Sequence, residues 1–347
     1  MELRLGLSET TLQSHVRASC EIHSNRSHLY LSLEENGIRG FAEISPQSIS
    51  INGDPSLEEV VQELKDISLP QFEEARAREG SIPSWTRIAR FAGSRPSSSF
   101  AIALIETAVL DFELRSEKKH ISDVWQVQFE TPTQSTVSIL DETIWVIDPT
   151  ASRVRVKTSP GVISGENIER LQSIMKPVIL DFNCSAKNDD DVLSQVAALH
   201  QDIDLVAVEQ PFEPGNVVDH SRLKEQLSVT LSLDEGVRSI RDIEQIARYS
   251  AATLICIKPA RVGGLANARA MVAKAHSLGI DAYIGGFFES SYGRTVLKHL
   301  ANSSTDQPSD LNIVQFSTGT DESNFVSDAF SFGLHPTESF LQNMNTI

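Results

Sequence analysis

The sequence lacks long apolar runs. None of its apolar stretches approaches the roughly 20 residues needed to cross a bilayer, and the polar start Met-Glu-Leu-Arg-Leu-Gly does not have the character of a signal peptide. Cysteine is also scarce: Cys20, Cys184 and Cys256 are scattered along the 347 residues, without the spacing of a disulfide framework or of a zinc site. We therefore expect a soluble globular protein in a reducing compartment, with the cytoplasm as its default location.

Positive charge is in short supply. The chain has 30 lysine and arginine residues against 47 aspartate and glutamate residues, which gives a formal net charge of −17. Most of such a surface would repel a phosphate backbone, and no basic stripe with interleaved aromatic residues offsets the repulsion. The pair Gly263–Gly264 is too short for a dinucleotide-binding fingerprint, and nothing supports Ser/His/Asp nucleophilic catalysis. We expect neither a nucleic-acid nor a membrane partner, and the sequence gives no indication of the oligomeric state.

A recurring strand–helix unit is present from about residue 133 onward. Short apolar runs end at or near Asp181, Glu209, Asp234 and Lys258, at intervals of about 25 residues, and helical patterns separate them. Runs of this length with acidic or basic ends are typical of strands in stacked strand–helix units. The recurrence therefore predicts a parallel sheet with a charged residue near the end of several strands.

Eight such strands are predicted, and with the helices between them they predict a (β/α)8 barrel over residues 119–322. The first crossover is irregular, because Asp141–Ser152 is short for a helix and contains Pro149. Reactive residues of such barrels lie at the C-terminal ends of the strands. The predicted strands are 134–140, 153–158, 177–183, 205–211, 230–236, 253–259, 281–287 and 311–317.

The first 118 residues follow a different pattern. Apolar residues alternate or run together through residues 16–45, interrupted by the turn Asn36–Gly37, which predicts an antiparallel meander. One helix is predicted to begin after a Ser56 cap with glutamates in its first turn, and another spans Ser97–Leu114. The expected fold is thus an N-terminal α+β capping domain over residues 1–118, followed by the barrel.

Three carboxylates are expected to meet at the barrel mouth: Asp181, Glu209 and Asp234. Carboxylates that lie so close together cannot all stay ionised unless a cation neutralises their charge. Carboxylate oxygens suit Mg²⁺, or Mn²⁺ in its place, so the three acids predict a metal site. Any one of them could instead cap a helix or face solvent, but the matched placement of all three favours the metal.

Two lysines flank these acids. Arg155 and Lys157 share one face of the second strand because side chains alternate with a period of two, and Lys258 ends the sixth strand. Strands two and six are opposite in an eight-stranded barrel, so Lys157 and Lys258 should face each other. A lysine beside other cations, or partly desolvated, has a lowered pKa and can act as a base. Each lysine alone is more simply a salt-bridged side chain; their opposed placement favours catalysis.

These motifs resemble the enolase superfamily, in its muconate-lactonising subgroup, and are most similar to o-succinylbenzoate synthases and N-succinylamino acid racemases. The resemblance covers essentially the whole chain and implies the same barrel with its capping domain. It also implies that a cap loop around Ser14–Asn25 closes over the mouth and that residues 323–347 return to the cap. The matching segments are Arg155-Val-Lys157, Asp181-Phe-Asn183, Val208-Glu-Gln-Pro211, Leu233-Asp-Glu235, Ile257-Lys-Pro-Ala-Arg261-Val-Gly-Gly264 and Gly285-Gly-Phe-Phe-Glu289-Ser-Ser-Tyr-Gly-Arg294.

The resemblance also implies roles for individual residues. Asp181, Glu209 and Asp234 would bind Mg²⁺, which holds the carboxylate of a small-molecule substrate and stabilises the enediolate formed when the α-proton leaves. Lys157 and Lys258 would be catalytic. The positions assigned to substrate binding are Arg155, Asn183, Arg261, Gly286, Glu289 and Ser290.

Two reactions are compatible with this resemblance. In a synthase that eliminates water, Lys157 would take the proton while Lys258 stabilises the anion; in a racemase both lysines would exchange protons. We expect the synthase, which forms o-succinylbenzoate by dehydration in menaquinone synthesis. Racemisation of N-succinylamino acids or epimerisation of dipeptides is the first alternative, and a catalytically silent barrel that binds a small acid or a partner is the second.

The residues that bear on this choice depart from or refine the family pattern. The usual motif of the second strand is Lys-x-Lys, and its first member is replaced here by Arg155. Arginine keeps the positive charge beside Lys157 but does not shuttle protons. Arg261 matches a position typical of the branch that contains racemases, and it favours the racemase alternative.

Overall fold

The computed structural model describes residues 1–18, 21–91, 95–126, 135–139, 151–162, 166–173, 175–199, 203–312 and 322–347. Several predicted segments lie partly outside these ranges. They include the cap loop (residues 19 and 20), the first barrel strand (residues 134 and 140), the irregular first crossover (residues 141–150) and the last barrel strand (residues 313–317).

The N-terminal sheet is antiparallel. Its first three strands follow each other in the chain, as the meander prediction requires, and the last strand of the chain pairs with the first. The strands, in sheet order, are β14 (Asn345–Thr346), β1 (Glu2–Ala18), β2 (Glu21–Glu35) and β3 (Ile38–Ile44).

The segment around Ser14–Asn25, expected to form the cap loop, contains paired strands, and its closure over the barrel mouth stays a prediction. Pairing between β1 and β2 continues to Ala18 opposite Glu21, after a register shift between Thr11 and Val16. These residues therefore extend a long hairpin.

Helices follow the N-terminal sheet in the chain. The predicted Ser56 cap is confirmed: its hydroxyl accepts from the Glu59 backbone N–H, and the Glu59 carboxylate accepts from the Ser56 N–H. The predicted helix over Ser97–Leu114 is confirmed as a longer, largely buried helix that packs on β3. These helices are α1 (Leu57–Glu63), α2 (Leu69–Glu79), α3 (Trp85–Ile88), α4 (Pro96–Ser116) and α5 (Ile121–Trp125), with a π-helical turn at Leu64–Ser68.

The second sheet has eight described strands, all parallel to their neighbours. A bridge between Gly285 and Asp310 joins its two outer strands and closes the ring, which confirms the (β/α)8 barrel. The strands are β4 (Ser135–Ile139), β5 (Arg153–Lys157), β6 (Val178–Asp181), β7 (Leu205–Glu209), β8 (Thr230–Leu233), β9 (Leu254–Ile257), β10 (Asp281–Ile284) and β11 (Ser309–Asn312).

Several barrel strands end earlier than the sequence pattern predicts. Asn183, Cys184 and Gln210 adopt positive φ angles of 43°, 67° and 36°, so the backbone turns away from the sheet directly after Asp181 and Glu209. Both acids are consequently the last residues of their strands. The described helices and tail elements are α6 (Glu166–Ser173), α7 (Asp189–Leu199), α8 (Val217–Lys224), α9 (Ile240–Tyr249), α10 (Pro259–Val262), α11 (Leu265–Ser277), α12 (Ser291–Ser304), β12 (Phe325–Ser327), β13 (Leu334–Pro336) and α13 (Glu338–Asn343).

Aromatic side chains join the N-terminal sheet, the barrel and the tail. The Phe41 ring lies 5.3 Å from that of Tyr30 and 5.1 Å from that of Tyr292, measured between centroids, and Phe340 of α13 lies 5.2 Å from Tyr30. All four are buried. The two parts of the chain therefore share a core, although the boundaries predicted at residues 118 and 322 stay predictions.

Within the described ranges, no helix combines the length and apolar character of a membrane span.

The N-terminus of α11 is capped by a side chain from α4. The Glu106 carboxylate accepts from the backbone N–H groups of Leu265 and Ala266, at 2.6 and 2.9 Å. Complete burial raises the pKa of Glu106 to about 8, although these two hydrogen bonds favour its ionised form. Gly264 precedes the helix at φ +114°, and a Cβ added there would lie 2.2 Å from Glu106 Oε2.

Replacing Gly264 with alanine is expected to destabilise the protein by about 3 kcal/mol, because the variant adds backbone strain and a clash with a buried carboxylate. Denaturant unfolding measures this loss. The matched control is Gly279→Ala, where φ is +72° but the surrounding space is open; it should cost about 1 kcal/mol. Equal losses in the two variants would contradict the proposed role of the Glu106 contact.

Candidate active site

A small cavity lies where the N-terminal domain meets the barrel mouth. Its volume is about 50 Å³, room for a few water molecules, whereas ligand sites usually measure roughly 300–1,000 Å³. A substrate therefore requires side chains at the mouth to move. The lining residues are Gln47, Ile51, Asn52, Asp54, Arg155, Lys157, Asn183, Glu235, Lys258, Arg261, Gly286, Phe287, Phe288 and Asp310.

The two lysines lie on opposite strands of the ring. Lys157 is the last residue of β5, and Lys258 directly follows β9. The order of the closed sheet places three strands between β5 and β9 in each direction. Both lysines line the same cavity, so the structure brings them to one mouth.

Asp181 is engaged by Lys157. The two residues are register partners on β6 and β5, and the Lys157 ammonium forms an ion pair with Asp181 Oδ2. The backbone N–H of Asn183 donates to Asp181 Oδ1 at 3.0 Å. Asp181 is fully buried and is also the register partner of Glu209 on β7. Two of the three predicted metal ligands are therefore neighbours in the sheet.

Arg155 lies between these two acids. Its Nη1 is 3.0 Å from Glu209 Oε1 and 3.4 Å from Asp181 Oδ2, and its Nη2 forms an ion pair with Asp310. The guanidinium is almost completely buried. The sequence predicts a cation beside Lys157; the structure shows that this cation bridges carboxylates.

Glu209 has a second partner that the sequence analysis missed. The Tyr283 hydroxyl donates to Glu209 Oε2 at 2.5 Å. Burial raises the pKa of Glu209 to about 8 despite the Arg155 charge, and Asp181 and Asp234 contribute to the rise. The sequence places Tyr283 in a predicted barrel strand, which could have indicated a contact with Glu209. It was missed because an aromatic residue in a strand is usually a core residue.

Asp234 is shared by two cations. Lys258 Nζ lies 2.8 Å from Asp234 Oδ2, and Arg261 Nη1 lies 2.6 Å from Asp234 Oδ1. Burial alone would raise the pKa of Asp234, but Lys258 and Arg261 lower it well below its ordinary value. Burial likewise disfavours the Lys258 cation, yet Asp234 outweighs burial and raises the pKa of Lys258 above its usual range. The expected lowering of the pKa is therefore wrong for Lys258, because its nearest partner is an anion.

Glu235, next to Asp234, is a cavity residue that the sequence analysis did not assign. Its Oε1 accepts from Asn183 Nδ2 at 3.0 Å and from Asn52 Nδ2 at 3.4 Å. Its Oε2 is buried and has no hydrogen-bond partner among the described residues. Burial raises the pKa of Glu235, and the charges of Asp234 and Asp181 add to the shift.

The fit of these residues to a divalent cation is a matter of charge and donor type. As the described side chains are arranged, no three His, Cys, Asp or Glu residues lie close enough together to hold a metal ion. Arg155, Lys157 and Lys258 are paired with the acids instead. Buried carboxylates in excess, one with an unpartnered oxygen, are nevertheless the all-oxygen donor set that Mg²⁺ uses. The residues fit the ion, provided that Arg155 and Lys157 move away from Glu209 and Asp181. Asp234 can keep its contacts with Lys258 and Arg261, because each carboxylate oxygen can accept a second partner.

The remaining predicted substrate-binding residues are divided by their position. Asn183, Arg261 and Gly286 line the cavity, as Arg155 does, whereas Glu289 and Ser290 do not. Glu289 Oε1 accepts from the Phe287 N–H at 2.8 Å. Ser290 is fully buried, and its N–H donates at 2.6 Å to Glu43 of the N-terminal sheet, as does its hydroxyl. These two side chains hold the loop between β10 and α12 in place.

Comparison with known proteins finds a family match within the barrel region and relatives that cover more of the chain. The family described as enolase C-terminal domain-like matches residues 151–318. The o-succinylbenzoate synthase of Listeria innocua is 26% identical over 291 residues, which cover 79% of this chain and 74% of that protein. The N-succinylamino acid racemase of an Amycolatopsis species is 28% identical over 229 residues, which cover 62% of this chain and 59% of that protein.

A solved structure extends the likeness to the complete chain. An enolase-superfamily protein from Listeria innocua superposes with a TM-score of 0.80 at 20% sequence identity, with 99% of this chain and 96% of that chain covered. At this identity the likeness shows the fold, with the N-terminal domain included.

Proposed function

We propose that this chain removes the proton α to the carboxylate of a small-molecule substrate. Its likeness to enolase-superfamily proteins, with an enolase C-terminal domain-like region, supports this proposal. The proposed reaction is the dehydration that forms o-succinylbenzoate. The observation that carries the proposal is the pair Lys157 and Lys258, which follow opposite strands of the barrel and line one cavity. Such a pair can reach the two faces of a planar intermediate.

Lys157 is the proposed base. It is the more exposed of the two lysines, and it shares the Asp181 carboxylate with Arg155. Ion pairing with Asp181 fixes the position of its ammonium in the absence of substrate. To accept a proton, Lys157 must first lose one, so the proposal requires that Asp181 be drawn away from it.

Lys258 is the proposed electrostatic partner. Asp234 holds it in the cationic form, and the Phe287 ring lies 4.9 Å from its ammonium. A fixed cation is suited to stabilise negative charge that develops on the substrate when the α-proton leaves. This role matches elimination more closely than racemisation, in which Lys258 must also take a proton.

Asp181, Glu209 and Asp234 are the proposed ligands of Mg²⁺. When bound there, the ion would neutralise charge on the substrate carboxylate. Asp181 would have both roles, because it would hold the ion and is also the ion-pair partner of Lys157.

Mg²⁺ at about 100 times its Kd is expected to stabilise the folded protein by about 2.7 kcal/mol, and thermal unfolding with and without the ion measures this. Asp181→Asn should lose most of the shift. The control Asp190→Asn, an exposed acid in the first turn of α7, should keep it. A wild-type protein that Mg²⁺ does not stabilise would refute the metal site.

The reaction is tested by two assays on the purified protein. The first follows the loss of absorbance when the cyclohexadiene carboxylate precursor is dehydrated to o-succinylbenzoate. The second follows proton exchange into deuterated buffer with an N-succinylamino acid. Dehydration supports the proposal, and exchange without dehydration would overturn the proposed reaction in favour of racemisation. If the protein shows neither activity and Mg²⁺ does not stabilise it, the catalytically silent barrel would be the remaining alternative.

Racemisation of N-succinylamino acids is the second candidate. It is favoured by Arg261, which contacts Asp234 beside Lys258 and adds positive charge that opposes the Lys258 cation. The relative from Amycolatopsis is named for this activity.

A further inference from the structure

A tight turn of the N-terminal domain reaches the barrel mouth. Ile51 and Asp54 exchange backbone hydrogen bonds of 3.1 and 2.8 Å, and the residues between them, Asn52 and Gly53, have φ angles of 50° and 81°. Positive φ at both central positions is the geometry of a two-residue hairpin turn. The turn therefore presents its polar side chains in a fixed direction, and Ile51, Asn52 and Asp54 line the cavity.

Asp54 holds Arg261 by both carboxylate oxygens. Arg261 Nε lies 2.8 Å from Asp54 Oδ1, and Arg261 Nη2 lies 2.6 Å from Asp54 Oδ2. Both residues are buried, with 5% and 3% of their surfaces exposed. A bidentate ion pair of this kind fixes the plane of the guanidinium.

The third nitrogen of Arg261 is directed at the predicted metal-ligand region. Nη1 donates to Asp234 Oδ1 at 2.6 Å and to the Asp234 carbonyl at 3.1 Å. Lys258 holds the other oxygen of the same carboxylate, Oδ2. Asp234 is thus divided between two cations, and the bond to Asp54 determines how Arg261 is turned.

Removing the Asp54 charge would upset this division. An asparagine would place an N–H₂ donor against one of the guanidinium donors and leave a buried cation with too few acceptors. Asp234 is the other carboxylate that Arg261 already contacts. Arg261 would then turn further onto Asp234 and compete with Lys258 for it.

We propose that Asp54 is a positioning residue, which acts through Arg261 to reserve one oxygen of Asp234 for Lys258. This inference rests on the proposed function, because it treats Lys258 as part of the catalytic pair. It adds a residue of the N-terminal domain to the determinants of the barrel chemistry.

The test compares Asp54→Asn with a matched control, Arg238→Gln. Arg238 Nη2 also contacts the turn, at 3.0 Å from Asp54 Oδ1 and 2.9 Å from the Asn52 carbonyl, but it does not contact Arg261 in the described structure. Asp54→Asn is expected to lower kcat about tenfold or more with a smaller change in KM, since small misplacements of reacting groups are costly. Arg238→Gln should keep kcat within about twofold. Equal kcat in Asp54→Asn and wild type would overturn the proposal.

A double variant separates positioning from a purely structural role. If Asp54 acts through Arg261, adding Asp54→Asn to Arg261→Gln should lower kcat no further. Independent, multiplying losses would overturn the proposal. If Asp54→Asn does not fold, Arg261→Lys tests the same link, because one ammonium cannot hold Asp54 by two nitrogens and Asp234 by a third; unchanged kcat would count against it.

Crystal structures of the wild-type protein and of Asp54→Asn test the positioning role of Asp54 without an activity assay. We expect the Arg261 guanidinium to turn towards Asp234 and the distance from Lys258 Nζ to Asp234 Oδ2 to increase beyond hydrogen-bond range. An unmoved Arg261 would overturn the inference. A wild-type protein that exchanges no α-proton would refute the proposed function, while this structural comparison would still decide the role of Asp54.

Discussion

Lys157→Met is expected to lower kcat for α-proton removal by about 10³-fold while the protein stays folded. General-base catalysis by a positioned side chain contributes about 10²–10⁴-fold. Methionine keeps the length and the apolar stem of lysine but cannot accept a proton. Asp181 keeps the Asn183 N–H at 3.0 Å and Arg155 Nη1 at 3.4 Å in the variant, so its buried carboxylate is not left unpaired and the protein should stay folded. Proton exchange into deuterated buffer measures the loss.

The control for this experiment is Lys187→Met. Lys187 is an exposed lysine in the loop before α7, and its replacement should leave kcat unchanged. Circular dichroism and the unfolding temperature should match wild type for both variants. A folded Lys157→Met protein with wild-type exchange would remove Lys157 from the mechanism, because another group would then have to be the base.

Lys258→Met is expected to lower the rate of dehydration by about 10²-fold or more. It removes a fixed cation from a buried site, and loss of one such stabilising group typically costs 10²–10³-fold. Asp234 keeps Arg261 as its partner in the variant, so the carboxylate is not left unpaired. The absorbance assay for dehydration measures the effect.

The same variant discriminates between the two candidate reactions. In a racemase, each lysine serves one face of the substrate, so Lys258→Met should abolish racemisation yet leave α-proton exchange with one enantiomer. In a synthase with Lys157 as its base, Lys258→Met should still dehydrate the substrate slowly. This remaining activity should depend on Lys157. Exchange from both enantiomers at wild-type rate would contradict both mechanisms.

The barrel could be predicted from the sequence because its signals are local. Apolar runs that end in a charged residue mark the strands, and the parallel order of those strands places Asp181 and Glu209 at one edge. The opposed positions of Lys157 and Lys258 follow from the strand count alone. These features depend on periodicity, which a single sequence contains.

The pairing of charges at the mouth could not be predicted in the same way. Whether Lys258 meets a cation or an anion depends on a side-chain distance of 2.8 Å to Asp234, and the sign of its pKa shift follows from that partner. The bridging position of Arg155 and the contact between Tyr283 and Glu209 also join residues far apart in sequence. The metal and substrate roles assigned to these residues stay predictions.

The N-terminal domain was predicted less completely. Its meander and helices follow local patterns, but the sequence analysis did not predict that the first hairpin extends to Ala18 and Glu21. Asp54 gave no signal, since an acidic residue after Asn52–Gly53 is ordinary turn chemistry. Its importance depends on Arg261, which lies in a different domain of the fold.

The carboxylates that cross between the two parts of the chain bear on how such proteins can be recombined. Glu106 caps α11 and Glu43 binds the first residues of α12, so two barrel helices begin on groups supplied by the N-terminal domain. A chimaera that takes its N-terminal domain from a relative would have to import compatible partners for both helix starts. Divergence of the two halves is thereby coupled, and grafting a new specificity onto this scaffold calls for exchanging the Glu43 and Glu106 contacts as a set.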